Sequence, residues 1–357
     1  MTIRILFVGE TWRGSSARSM REALETLPGV EMDDVGEDHY LPKHRAKVLR
    51  GFNRLLRSLQ VGDLEREIWG KLRVSRPDIL LVYKGNGVGA DFVRRVKAAG
   101  FTTVNVFPDY SPHAYGSALR EAIGEYDLVV STKPFHPAAW QSIYGYANRC
   151  VCVPHGYDPA VHYWANASSQ QDLDVVLAAS WRPQYHALVL SIAKAMAGNG
   201  VKVGLAGSGW LERANEFPAH WEIVGALHGR AYGEWLRRGK IAIAPVHRDV
   251  VIDGRRQPGD EDTTRTYELA AAYCFFVHRR TEYVRTVYDE RNEVPMWDSP
   301  EELADLIRHY LPRDTERRTM AAAAHARAVP AYSIPGRAAQ VFEFIAQLPR
   351  RGIKRTR

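Results

Sequence analysis

Residues 263 to 277 read TTRTYELAAAYCFFV and set Arg265 and Glu268 three apart at the front of a short apolar run. Thr263 and Thr264 are residue types that cap helices, so the pattern predicts a short helix starting here. The first amides of such a helix lack intrahelical acceptors and lie at the positive end of its dipole, which favours an anion. Arg265 adds a planar guanidinium able to hold two phosphate oxygens. The expectation is a diphosphate site at Thr264 and Arg265. A capping box does not explain Glu268, because the residue three before it is Arg265. Two readings stay open. Glu268 can form a local ion pair with Arg265, worth roughly a few tenths of a kcal/mol. Alternatively, its carboxylate, one turn inside a phosphate-binding helix, can accept both hydroxyls of a ribose, and the helix then holds a nucleoside diphosphate.

Other literal motifs compete. GNGVGA, residues 85 to 90, fits G-x-G-x-x-A between a strand and a helix, and Asp109 follows where a ribose-binding acid would stand. That reading makes the chain an NAD- or FAD-dependent two-domain oxidoreductase. The motif falls on an internal strand, however, and the first βα unit has its own loop, GETWRGSS, containing Gly14 and Ser15. A tight turn is the alternative. DLD (172 to 174) and DED (260 to 262) resemble cation-holding triplets, but one precedes a strand and the other lies in a Gly/Pro-bounded loop, so both are read as polar flanks. The 13 histidines show no metal spacing, and no G-x-S-x-G elbow or Walker A loop is present. The three cysteines form no C-x-x-C pair, so neither a disulfide framework nor a zinc site is implied.

The elements that must position these residues alternate. IRILFV, DILLVY, TTVNVF, DLVVST and RCVCVP read as strands, with ADFVRRVKAAG and HPAAWQSIYGY among the helices between them. After a polar, turn-rich stretch the alternation restarts near residue 172 with LDVVLAAS, VKVGLAG, WEIVG, KIAIAPV and CFFVH. SPEELADLIRHYL opens with a capping box, Ser299 to Glu302, and Pro300 at the first helical position. The fold class is α/β, with two parallel-sheet domains whose loops are expected to face one cleft. The boundaries drawn are 1–160, 161–335, and 336–357 for a C-terminal helix and basic tail.

At 357 residues and 45% hydrophobic content, the chain can build two cores. No apolar stretch reaches the roughly 20 residues of a membrane span, and the first ten residues turn polar too soon for a signal peptide, so a cytoplasmic protein is expected. The net charge of +7 is concentrated: residues 41–60 hold six Lys/Arg and no acid, residues 350–357 hold five, and the remainder carries −4. Within 41–60, Val48, Phe52, Leu55, Leu56 and Leu59 recur at helical spacing. This is an amphipathic helix with a cationic face. It is either a solvated face over a packed one or a contact for an anionic membrane or a polyanion, nucleic acid included.

RTYELAAAYCFFVHRRTEYV, SPEELADLIRHYL and HARAVPAYSIPGRAAQVFEFI resemble the C-terminal half of GT-B glycosyltransferases of the CgeB-like, spore-protein YkvP-type group. PDILLVYKGNGV, TTVNVFPDYSP, YDLVVSTKPFH and PHGYDPAVH are similar to that group's N-terminal half and hinge. Related retaining enzymes carry an E-x7-E signature whose second Glu contacts the donor ribose; Glu268 matches it, and Asp260 stands where the first Glu would. That shorter acid leaves sugar choice and stereochemistry open. The group usually has Gly where Tyr273 stands.

The resemblance implies a GT-B fold, two Rossmann-like domains facing a central cleft. It further implies metal-independent transfer of a sugar, with retention, from a nucleoside diphosphate sugar to a hydroxyl acceptor. A UDP-sugar is the expected donor, and no further cofactor is implied. Arg182, with His186, would face the diphosphate, Gly207 would border the base, and Gly14 and Ser15 would approach the sugar or phosphate. Asp109 and His113 would face the acceptor, Asp109 as general base if the reaction inverts. Glycan, lipid-linked or other polyanionic acceptors fit the basic stretch 41–60, with peripheral membrane contact there. A catalytically inactive sugar-binding or assembly protein of the same fold is the other reading.

Overall fold

The structure is a computed structural model that describes residues 2–42, 47–168, 170–248 and 250–349, with the backbone alone described at 47–54. The basic tail therefore lies outside the described residues. Two compact units are present: Met1–Pro154 with Val251–Pro258 and Arg337–Arg357, and His155–Val250 with Gly259–Gly336.

The first unit holds β1 (Ile3–Gly9), β2 (Val30–Gly36), β3 (Ile79–Tyr83), β4 (Thr102–Phe107), β5 (Leu128–Ser131) and β6 (Arg149–Cys152). They lie in the order β2-β1-β3-β4-β5-β6, every pair parallel. Helices cover the sheet: α1 (Ser16–Glu25), α2 (Glu37–Tyr40), α3 (Lys47–Ser75), α4 (Ala90–Ala98), α5 (Ser117–Ile123) and α6 (His136–Ser142). A strand covered on both faces must be apolar throughout, as the wholly buried ILLVY of β3 is. The edge strand β2, VEMDDVG, buries only its last two residues, which is why it shows no strand pattern in the sequence. In α3, Leu64, Ile68 and Leu72 are fully buried at helical spacing, while Leu55 and Leu59 are 79% and 65% exposed. The apolar residues of the basic stretch whose exposure is described as high therefore do not pack inward.

The second unit holds β7 (Leu173–Ala178), β8 (Val203–Ala206), β9 (Glu222–Val224) and β10 (Gly239–Ala244). A two-stranded hairpin follows, β11 (Val250–Ile252) and β12 (Arg255–Gln257), then β13 (Phe276–Arg279) and β14 (Met296–Trp297). The sheet order is β14-β13-β10-β7-β8-β9, again parallel. The chain reverses its winding between β7 and β10, the point where ligands bind at strand carboxyl ends in open α/β sheets. Asp253 and Gly254 turn the hairpin with φ of 51° and 72°, and Asp253 pairs with Arg120 at 3.1 Å inside the first unit.

Helices of the second unit are α7 (Pro159–His162), α8 (Pro183–Ala195), α9 (Arg230–Leu236), α10 (Thr264–Ala271), α11 (Val284–Val287), α12 (Pro300–Tyr310) and α13 (Asp314–Ala328). Ser299 Oγ accepts the Glu302 amide at 3.1 Å, as its spacing predicts. Glu302 Oε2 reaches the amide of Asp298 at 2.7 Å rather than that of the cap residue. The chain enters and leaves this unit side by side: Tyr157 N donates to Tyr332 O at 3.0 Å, and Ile334 N donates to Tyr157 O at 2.8 Å. It returns along α14 (Ile334–Ala346), whose Phe344 ring lies 5.9 Å from the Arg149 guanidinium.

Candidate functional site

The helix predicted from TTRTYELAAAYCFFV is α10, and a buried relay fixes its start. Thr263 N donates to Thr266 Oγ1 at 3.0 Å, and Thr266 Oγ1 lies 2.8 Å from His278 Nε2. The other ring nitrogen of His278 lies 2.7 Å from Arg279 O. A carbonyl only accepts, so Nδ1 carries the proton and Nε2 accepts from the Thr266 hydroxyl. Burial pushes His278 down to about 4, which keeps it neutral and in this role. At the far end Tyr273 sits at φ 58°, the left-handed position a glycine would fill, and its ring packs on His325 at 4.5 Å. A left-handed conformation costs a non-glycine residue about 1–2 kcal/mol.

Glu268 is 9% exposed. Its Oε2 accepts from the Tyr232 hydroxyl at 2.9 Å, and its Oε1 lies 3.6 Å from His162 Nε2. Burial and the Glu268 charge raise Tyr232 well above the usual phenol value, so it remains a donor. The local ion pair is not formed. Among the described residues Arg265 has no bond to Glu268, and its buried Nε has no hydrogen-bond partner. An unpaired buried donor costs about 1–3 kcal/mol, more when charged. The first turn of α10 thus brings together, among the described residues, the unbonded amides of Thr264 and Arg265 and a guanidinium whose buried Nε has no hydrogen-bond partner.

Asp260 is buried in the loop before α10, its amide donating to His247 O at 2.8 Å. Gly259 permits this approach, since a Cβ there would lie 2.3 Å from Arg248 O. Asp262, also in DED, accepts from Tyr267 Oη at 2.7 Å. Among the described residues no three His, Cys, Asp or Glu side chains are grouped to hold a metal ion. Arg182 is the exposed N-cap residue of α8. His186 turns elsewhere: its Nδ1 accepts from Trp181 Nε1 at 2.9 Å and its Nε2 is 3.1 Å from Glu216. The diphosphate role implied for His186 has no geometric support. Gly207 follows β8 at φ 144°, and any Cβ would meet Ala179 O at 2.1 Å. Beside it the Arg213 guanidinium covers the Trp181 ring at 3.8 Å.

In the first unit Gly14 takes φ 99°, and Ser15 Oγ caps α1 by accepting the Ala17 amide at 3.2 Å. Asp109 lies two residues beyond β4 and pairs with Lys84 Nζ at 2.9 Å. Lys84 itself sits at φ 63°, held by Asn105 Nδ2 donating to its carbonyl at 3.1 Å. A non-glycine residue in this region is strained, and such strain gathers at functional sites. His113 turns its ring edge to Tyr144, 5.3 Å away, and burial lowers its basicity. GNGVGA packs as a turn: Gly87 N donates to the buried Glu37 carboxylate at 2.6 Å, which removes one amide a dinucleotide phosphate would need. A cavity of about 480 Å³ opens at these strand ends, lined by residues including Glu10, Glu37, Asp38, Arg57, Asn86 and Tyr115. Sequence reasoning did not single out Lys84, His162 or Tyr232; only Lys84, directly after a strand, carries a positional signal.

Residues 184–343 match the family described as glycosyl transferase-like. No curated protein sequence matches the chain. Among solved structures, sucrose-phosphate synthase of Thermosynechococcus elongatus superposes with a TM-score of 0.70 at 13% identity, covering 97% of this chain and 98% of that one. Anabaena Alr3699/HepE, solved with UDP and glucose, gives 0.67 at 13% identity over 97% and 100%. A Listeria monocytogenes protein provisionally called a UDP-N-acetylglucosamine 2-epimerase gives 0.58 at 9% identity over 99% and 100%. At such identities the likeness is one of fold: two α/β units, each on a six-stranded parallel sheet, the GT-B fold, across nearly the whole chain.

Proposed function

We propose that this chain is a glycosyltransferase that moves a sugar from a UDP-sugar to a hydroxyl acceptor, of the CgeB-like kind. The observation that carries the reading is Arg265, whose buried Nε has no hydrogen-bond partner among the described residues, at the amide-rich start of α10, one turn from the buried carboxylate of Glu268. Arg265 and the Thr264 and Arg265 amides would take the charge developing on the departing diphosphate, with Arg182 adding to it. Glu268 would accept the ribose hydroxyls and Asp260 would face the transferred sugar. Charge neutralisation by the chain's own groups makes the reaction metal-independent, and the match of Glu268 to the E-x7-E position favours retention. The match of residues 184–343 to a glycosyl transferase-like family and the UDP held by HepE support a donor site in the second unit.

The first unit would receive the acceptor, with Asp109 and His113 positioning its hydroxyl. The exposed Leu55 and Leu59 in a stretch of six basic residues favour an anionic or lipid-linked acceptor at a cytoplasmic membrane face. No helix among the described residues is long and apolar enough to cross a membrane.

The test is UDP binding and sugar transfer. UDP at about 100 times its Kd should stabilise the protein by roughly 2.7 kcal/mol, and NAD or FAD should not. Arg265→Ala and Glu268→Ala should each weaken UDP by about tenfold or more. Binding without transfer to any hydroxyl would favour the inactive binding protein, and a change at the sugar itself would favour an epimerase.

A further inference from the structure

The Glu268 carboxylate is held by two side chains that reach it from different elements. Tyr232 on α9 donates to Oε2, and His162, the last residue of α7, turns Nε2 towards Oε1. The tautomer of His162 is settled by its other nitrogen. The Asp158 amide donates to Nδ1 at 3.1 Å, so Nδ1 accepts and the proton of the neutral ring sits on Nε2, facing the carboxylate. His162 is 7% exposed, and its ring meets that of Tyr232 edge-on at 5.6 Å.

The three elements are bound together independently of Glu268. Trp164, just after α7, donates its amide to Ala271 O at the end of α10, at 3.2 Å. The guanidinium groups of Arg230 and Arg237, from α9 and its C-cap, lie 3.8 and 4.8 Å from the Trp164 ring. Arg237 Nη1 also donates to Ala272 O at 2.8 Å. An ionised carboxylate offers about four acceptor positions. Tyr232 takes one, and His162 faces a second. One position on each oxygen is left, in a fixed plane, and that suits the two adjacent hydroxyls of a ribose.

We propose that Tyr232 and His162 are positioning residues for recognition of the ribose diol: they fix the plane of Glu268 and select a ribonucleoside over a deoxyribonucleoside diphosphate. The inference rests on the UDP-sugar reading above. Neither side chain needs to touch the donor; each acts through Glu268.

The experiment measures UDP and 2′,3′-dideoxy-UDP affinity by calorimetry on the full chain. Tyr232→Phe and His162→Leu should each weaken UDP about fivefold and raise donor KM with kcat little changed. Neither should alter the affinity for dideoxy-UDP. In a Glu268→Ala background, Tyr232→Phe should cause no further loss, because the two act as one unit. His162→Gln, which keeps a donor towards Glu268, should recover most of the loss. Wild-type UDP affinity in both variants, or an equal loss for UDP and dideoxy-UDP, would overturn the proposal while leaving the UDP site intact. A wild-type protein that binds no nucleoside diphosphate would overturn the functional reading and this inference with it.

Discussion

Lys84 Nζ lies 2.9 Å from Asp109 Oδ2, so the acid two residues beyond β4 is already committed to a cation. To serve as a general base Asp109 would have to exchange that ion pair for a proton, whereas a front-face retaining reaction asks for no protein base. Asp109→Asn should therefore reduce kcat by less than about 100-fold, the lower end of general-base effects. Lys84→Met should give a similar loss, and the double variant little more. A loss of about 10,000-fold in Asp109→Asn alone would establish a base and point to inversion.

Transfer should continue in excess EDTA, since arginine and a helix start are assigned the charge that a cation carries in metal-dependent enzymes. Abolished turnover that manganese restores would shift attention to Asp260 and Asp262.

Acid should loosen the second unit through His278. Burial holds its folded value at about 4, below the 6.5 of the unfolded chain. Between those values the unfolded chain binds a proton the folded one does not, so stability is complete above about pH 6.5 and falls as the pH drops towards 4. The slope from this group is at most about 1.4 kcal/mol per pH unit. Urea unfolding at pH 7, 6 and 5 should show a flatter dependence in His278→Gln; equal slopes would reject His278 as a contributor. His136, held at about 3 by burial, should act in the same direction in the first unit.

Leu55 and Leu59 should matter to the acceptor or its membrane, not to the fold. Each leucine moved from water into an apolar phase contributes about 1.5–3 kcal/mol, so Leu55→Ser with Leu59→Ser should weaken sedimentation with anionic vesicles more than tenfold. Replacing Lys47, Arg50, Arg54 and Arg57 by Gln should raise acceptor KM and flatten its salt dependence, since attraction fades beyond about 8 Å at physiological salt. UDP affinity should stay the same in both variants. Unchanged vesicle binding and acceptor KM would reduce the stretch to a solvated helix.

The legible parts of this protein are those encoded by near neighbours. Ser299 and Glu302, or Thr263 to Glu268, announce a helix start within a few residues, and the fully buried β3 announces itself by an unbroken apolar run. Partial burial leaves no such mark, which is why the edge strand β2 and the hairpin β11–β12 passed unread, while β14 is buried but only two residues long, too short to show a pattern. The spacing of Arg265 and Glu268 suggested a local pair, and only the fold shows that Glu268 turns to Tyr232, 36 residues away, and to His162. Nothing in a linear pattern ties those three together. Tyr273 marks the opposite limit: where glycine is expected, a tyrosine takes the left-handed conformation, and its ring packs on a histidine 52 residues away.

The paired crossings at Tyr157, Tyr332 and Ile334 join the first and last segments of the second unit by two backbone hydrogen bonds, which together form the parallel bridge between Tyr157 and Ser333. In polymer terms the chain from Tyr157 to Ser333 is a loop tied off at its base. The entropy of closing such a loop grows only with the logarithm of its length, so residues can be added or lost far from the bridge with little effect on the closure. Ends that meet are also the condition under which a domain can be inserted into a host or rejoined in a different order. The geometry at Tyr157 therefore holds one closure constant while the outer loops of the second unit diverge, and the segment 251–258, which belongs to the first unit, keeps the second from being a single uninterrupted insert.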